Sequence, residues 1–128
     1  MRMKTVCLSR LTITLYAGLI FLGLWCGALW AHTFPVRSEP GAGAMLNPSP
    51  VHVRIWFDNV LDPAFSTIIV EDAKGRKVDK GDCFVNPADP KLLEVSLPIL
   101  QPGTYRVIWT VMGTDGHKTT GDYIFTIK

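Results

Sequence analysis

From Thr104 to Met112 every second residue is large: Tyr105, Val107, Trp109 and Val111 fall on one side of an extended chain, and Arg106, Ile108 and Thr110 on the other. A period of two marks a strand with one buried face. The pattern recurs at Val51-His52-Val53-Arg54-Ile55-Trp56-Phe57, where Val51, Val53, Ile55 and Phe57 face the core, and at Leu92–Leu97. Ser66–Glu71 and Tyr123–Ile127 are further β-rich runs. Asp72-Ala73-Lys74-Gly75 and Pro98–Gly103 carry turn residues, Asp58–Phe65 and 80–90 read as loops, and the Pro- and Gly-rich stretch 32–50 reads as an extended edge segment. No part of 32–128 shows helical periodicity. Short strands with turn signals every ten residues or so predict an all-β, two-sheet antiparallel sandwich of immunoglobulin-like size, with about seven strands.

The first thirty-odd residues differ from the rest. Arg2, Lys4 and Arg10 stand without an acid, an apolar run covers Leu11–Trp25, and small residues follow. This is the layout of a secretory signal peptide. The run is also about the ~20 residues that span a bilayer, but Gly18, Gly23 and Gly27 dilute it, and removal is the expectation. Cutting after Ala31 makes His32 the first residue. Cutting after Ala28 places Cys26 and Ala28 at the small-residue positions and leaves three residues ahead of His32. The residues alone leave both cuts open. The expected organisation is a signal peptide over 1–31 and one domain over 32–128.

Removing the leader changes the charge. Ten basic and eleven acidic residues remain, a net charge of −1 with histidines neutral. There is no basic run and no aromatic-basic interleaving, so nucleic acid is not an expected partner. Only Cys83 survives in the mature part. One thiol cannot close an internal disulfide, so the core alone must hold the domain, and Cys83 reads as a packed side chain.

The chemistry concentrates in Thr114-Asp115-Gly116-His117 and in the distant His32. Residues two apart in an extended segment face the same way, so Asp115 and His117 can offer one carboxylate and one imidazole together. An N-terminal His32 would add its amine and its ring, giving four nitrogen and oxygen donors in a plane, a set that favours Cu(II). The plain alternative is that Asp115-Gly116 is a chain-reversing turn and His117 an exposed loop histidine. Taken alone, the loop favours the turn. His52 points away from the predicted core, Trp56 and Trp109 read as packing residues, and Asp58, Asp62, Asp79, Asp82 and Asp89 read as solubilising loop acids. No nucleophilic triad or phosphate-binding loop is present.

Together these residues resemble the CopC family of periplasmic copper-binding proteins. The likeness runs from His32 after a leader through Ser38-Glu39-Pro40-Gly41-Ala42-Gly43-Ala44 and Val53–Phe57. It continues through Gly103-Thr104-Tyr105-Arg106-Val107-Ile108-Trp109 and Asp115-Gly116-His117 to Gly121-Asp122-Tyr123-Ile124-Phe125-Thr126-Ile127. The resemblance implies a Greek-key β-sandwich or barrel and cleavage after Ala31. It also implies one Cu(II) ion held by His32 (amine and imidazole), Asp115 and His117. Some members add a Cu(I) site from a methionine-rich loop and a further histidine. Residues 71–90 contain no methionine, and His52 does not obviously supply that histidine, so no Cu(I) site is expected. Some members carry an acid after the second strand near the copper, where this chain has Asp58 and Asn59.

The resulting expectation is a monomeric periplasmic protein that sequesters or delivers copper in homeostasis or resistance and is not an enzyme. The resemblance adds an inner-membrane CopD-type transporter as partner. The alternatives are a metal-free immunoglobulin-like interaction module and a small copper oxygenase.

Overall fold

The computed structural model describes residues 32–128; the expected leader lies outside the described residues. These form eight strands: β1 (Pro35–Glu39), β2 (Met45–Leu46), β3 (His52–Phe57), β4 (Thr67–Glu71), β5 (Phe84–Val85), β6 (Leu92–Ser96), β7 (Gly103–Met112) and β8 (Lys118–Ile127). One sheet has the order β1-β3-β6-β5 and the other β2-β8-β7-β4. This is the immunoglobulin-like Greek-key sandwich expected from the sequence, with no helix among the described residues.

The alternating faces meet as anticipated. Val53, Ile55 and Phe57 of β3 pack with Leu93 and Val95 of β6 on one side. Ile68 and Val70 of β4, Tyr105, Val107, Trp109 and Val111 of β7, and Phe125 and Ile127 of β8 close the core from the other. Two aromatic pairs lie in the core, the first between the sheets and the second within one sheet. Phe57 meets Trp109 edge to face at 5.3 Å between centroids, and Tyr105 stacks on Phe125 at 5.6 Å, both favoured arrangements for buried rings.

Several details differ from the pattern-based reading. Two two-residue strands raise the count from about seven to eight, and one of them, β5, lies inside the stretch 80–90 read as a loop. The sheets are not wholly antiparallel, because β2 runs parallel to β8 through Met45↔Thr126 and Leu46↔Ile127. β6 does not alternate: Leu92, Leu93, Glu94 and Val95 are all buried. Glu94 tolerates this because Arg54 Nε donates to one carboxylate oxygen at 2.7 Å and Asn86 Nδ2 to the other at 2.9 Å, pairing a buried charge as it must be.

β8 begins at Lys118, five residues before the run Tyr123–Ile127. The segment Lys118-Thr119-Thr120-Gly121-Asp122 looks loop-like, but it continues the register with β7 out to Met112↔Lys118. At Gly121 the indole of Trp109 lies where a Cβ would stand, so only glycine fits there.

The loop acids are not simply solubilising. Asp62 accepts the N–H of Ala64, Asp82 that of Ser96 and Asp89 that of Lys91. Asp79 accepts two, from Val70 and Gly81, with its side chain fully buried. Each satisfies backbone donors, in loops or on the strands β4 and β6, that would otherwise be left without these partners.

Candidate metal centre

The hairpin between β7 and β8 is built from Gly113 to His117. Gly116 N–H donates to Gly113 O at 3.0 Å and Gly113 N–H to His117 O at 3.2 Å. Gly116 has φ of 81°, a left-handed conformation that costs a residue with a Cβ. This is a three-residue hairpin loop with a turn closed by a left-handed glycine. The turn and the carboxylate–imidazole pair are therefore one structure rather than alternatives. Asp115 Oδ1 accepts the His117 N–H at 3.0 Å, and Oδ2 lies 3.1 Å from His117 Nδ1. The donation from the His117 N–H, followed by the contact with its ring, holds the Asp115 carboxyl below the usual value of 3.8.

A second element brings in the N-terminal arm. Phe34 N–H donates to Asp58 Oδ1 at 2.8 Å, and Asp58 N–H donates back to Phe34 O at 3.0 Å. The same short loop then turns to the hairpin. Thr114 N–H reaches Val60 O at 3.3 Å, Leu61 forms a bridge with Gly113, and Asp62 N–H reaches Met112 O at 2.8 Å. Leu61 is buried and anchors the loop in the core. Residues 58–62 thus clasp the arm with one end and the hairpin tip with the other.

The consequence is proximity between residues 85 positions apart. The rings of His32 and His117 lie 6.3 Å apart between centroids at 67°, and Phe34 stands edge-on to His32 at 5.9 Å. Thr33, between them, is completely buried. An alanine methyl at Gly113 would meet Thr33 Oγ1 at 2.5 Å and Asp115 Oδ1 at 3.0 Å, so the arm seats in a gap that exists because residue 113 lacks a side chain.

The spacings can be tested against a metal ion. With metal–ligand bonds of roughly 2.0–2.2 Å, adjacent donors in a square plane stand about 2.8–3.1 Å apart. The Asp115 Oδ2–His117 Nδ1 separation of 3.1 Å matches one such edge. Two imidazoles opposite each other on one ion have centroids about 6.3–6.5 Å apart, counting the bond and the ring radius on each side. The His32–His117 spacing falls at that limit. No group of three His, Cys, Asp or Glu side chains among the described residues is already closed to ligating distance. In the uncut chain the His32 nitrogen is a peptide amide, so the fourth donor exists only after cleavage.

The other residues singled out from the sequence lie elsewhere or serve packing. His52 pairs with Ser96, at the far end of β3 from Phe57 and Asp58. Cys83 Sγ accepts the Ile68 N–H at 3.1 Å, and burial pushes its thiol up. Trp56 lies under the Arg37 guanidinium at 4.3 Å, a cation–π contact on the outer sheet face. Sequence reasoning missed Thr33 and Gly113, which carry no chemical signature. Asp58 had only its place after a strand-ending Phe, and the two hydrogen bonds to Phe34 define its role.

Comparison with known proteins identifies the family to which this fold belongs. The family model described as the CopC domain matches residues 35–128. Protein YobA of Escherichia coli K12 is 33% identical over 102 residues, covering 79% of this chain and 82% of YobA. The crystal structure of CopC from Methylosinus trichosporium OB3b is similar with a TM-score of 0.68 and 33% identity, over 76% of this chain and 94% of that one. PcoC, a methionine-rich copper resistance protein from Escherichia coli, gives a TM-score of 0.64 and 31% identity over 77% of this chain and all of that one. A matched domain that takes in both the hairpin and the strand anchoring the N-terminal arm, on a sandwich of the same architecture, shows that the chain belongs to the CopC family.

Proposed function

We propose that the protein is a periplasmic Cu(II) carrier that takes copper as cargo and holds one ion with His32, Asp115 and His117. The observation that carries this reading is the convergence of His32 on the Asp115–His117 pair at separations one ion can span. Export and cleavage after Ala31 add the amine of His32, which forms a chelate with its own ring. Four nitrogen and oxygen donors in a tetragonal arrangement favour Cu(II) over Zn(II) and over hard ions. The ionised Asp115 offsets part of the ion's charge, and both imidazoles ligate only when neutral.

Cu(I) is not part of the proposed cargo. The mature chain carries only Met45 and Met112, with no methionine between 71 and 90, whereas soft thioether donors select Cu(I). A plane filled by protein donors leaves little room for substrate chemistry, which supports binding and delivery rather than catalysis. The protein acts as a monomer and passes copper to an inner-membrane transporter of the CopD type.

The experiment is Cu(II) competition against a chelator of known affinity, using protein recovered from the periplasm after expression of the full chain. One Cu(II) per chain is expected, with a loss of affinity on the order of 100-fold or more in His117→Ala. Unchanged affinity in that variant would instead support a metal-free interaction module.

A further inference from the structure

The Thr33 hydroxyl is an anomaly beside the candidate site. Thr33 is completely buried, and its Oγ1 has no hydrogen-bond partner among the described residues. Buried hydroxyls in native proteins nearly always have one, so an orphan calls for an explanation. A packing role does not need it, since valine has the same shape without the oxygen.

Its position supplies the explanation. Thr33 Oγ1 and Asp115 Oδ1 approach the same point over Gly113, at 2.5 Å and 3.0 Å from where a methyl would stand, which places them within about 5.5 Å of each other. Without metal, both Asp115 oxygens are engaged by His117: Oδ1 accepts the N–H and Oδ2 faces Nδ1. An ion shared by Oδ2 and the ring leaves Oδ1 holding the His117 N–H, with a second lone pair on that oxygen to accept from the Thr33 side. Carboxylates that bind metals are themselves held by hydrogen bonds, and those partners orient them and tune the ion.

We infer that Thr33 is a positioning residue of the copper site, its buried hydroxyl donating to the Asp115 carboxylate in the loaded protein and holding it to the ion through one oxygen. This rests on the proposed ligand set. It goes beyond that set by assigning a role to a side chain that is not itself a ligand. The gap over Gly113 is the structural condition for it, because any side chain there would fill the space between the two oxygens.

The test compares Thr33→Val and Thr33→Ser with the unsubstituted protein, each expressed as the full chain and recovered from the periplasm. Thr33→Val keeps the shape and removes the donor; Thr33→Ser keeps the donor. Thermal midpoints without metal should be unchanged or higher in Thr33→Val, because the hydroxyl has no partner there. Cu(II) affinity should fall roughly 10-fold or more in Thr33→Val and recover in Thr33→Ser. The parallel copper hyperfine splitting in the electron paramagnetic resonance spectrum should change only in Thr33→Val. Wild-type affinity and spectrum in Thr33→Val, or equal losses in both variants, would overturn the inference. Asp115→Ala in the same assay separates the two levels. Weak binding there with normal binding in Thr33→Val removes Thr33 alone, and normal binding in Asp115→Ala removes the ligand set with it.

Discussion

The Asp115 carboxylate faces its own neighbour twice, accepting the His117 N–H at 3.0 Å through Oδ1 and standing 3.1 Å from His117 Nδ1 through Oδ2. One side chain thereby fixes the turn and orients the imidazole beside it. The two duties are separable by substitution. Asp115→Asn keeps an oxygen for the N–H but loses the charge; it should leave the metal-free thermal midpoint nearly unchanged and weaken Cu(II) binding by roughly 10–100-fold. Asp115→Ala should lower both. Calorimetry with chelator competition distinguishes them, and equal thermal midpoints for Asn and Ala would contradict the turn role.

Two glycines in the same hairpin should fail in different ways. Gly116 is left-handed with open space around it, so Gly116→Ala carries only the backbone penalty, about 1–2 kcal/mol. Gly113→Ala instead places a methyl against Thr33 Oγ1 and Asp115 Oδ1 and must displace the arm, costing about 1–3 kcal/mol. Urea denaturation measures both. Nuclear magnetic resonance shifts at Phe34 and Asp58 should move in Gly113→Ala and stay put in Gly116→Ala.

Asp79 has no place in the metal site, yet it should matter more for stability than the other loop acids. Its buried carboxylate accepts N–H groups from Val70 and Gly81 and lies 3.6 Å from Lys77 Nζ. Asp79→Ala leaves those donors without partners and should cost about 2–3 kcal/mol, read as a lower urea midpoint. Asp62→Ala, which removes one exposed contact to Ala64, should change the midpoint far less.

Copper retention should depend on pH through the imidazoles, not through the carboxylate. Asp115 is held below the usual 3.8 by the His117 N–H, so it remains ionised throughout mild acid. Its contribution to folding is present above that value and is lost only as pH falls below it. Nitrogen donors ligate only when unprotonated, so Cu(II) affinity should decline as acid competes for them. Titration of bound copper by absorption should show the loss well above the carboxylate range; loss only below 3.8 would point to Asp115 instead.

The sandwich was legible because burial leaves a period of two. Val53, Ile55 and Phe57, and Tyr105 through Val111, announce their inner faces directly. Glu94 broke the pattern because its partners, Arg54 and Asn86, lie 40 and 8 residues away and no local rule finds them. β8 was cut short because Lys118–Asp122 is polar, and its strand character comes from pairing with β7. The site was half legible. Asp115-Gly116-His117 can be read as a turn or as ligands, and the fold shows a turn that also sets the carboxylate beside the imidazole. What brings His32 to it is the clasp at residues 58–62, a segment that reads from the sequence only as part of the loop Asp58–Phe65. Thr33 and Gly113 had no signal, since a threonine and a glycine acquire meaning here only through the space between them.

The peptide bond after Ala31 carries the account's central claim, because a four-donor site needs a free amine on His32. Native mass spectrometry of the protein exported from the full chain and supplied with Cu(II) tests it most directly. The predicted result is a chain that begins at His32 and retains one copper ion. A chain that begins at Leu29, or that keeps its leader, and still binds one Cu(II) with undiminished affinity would contradict it.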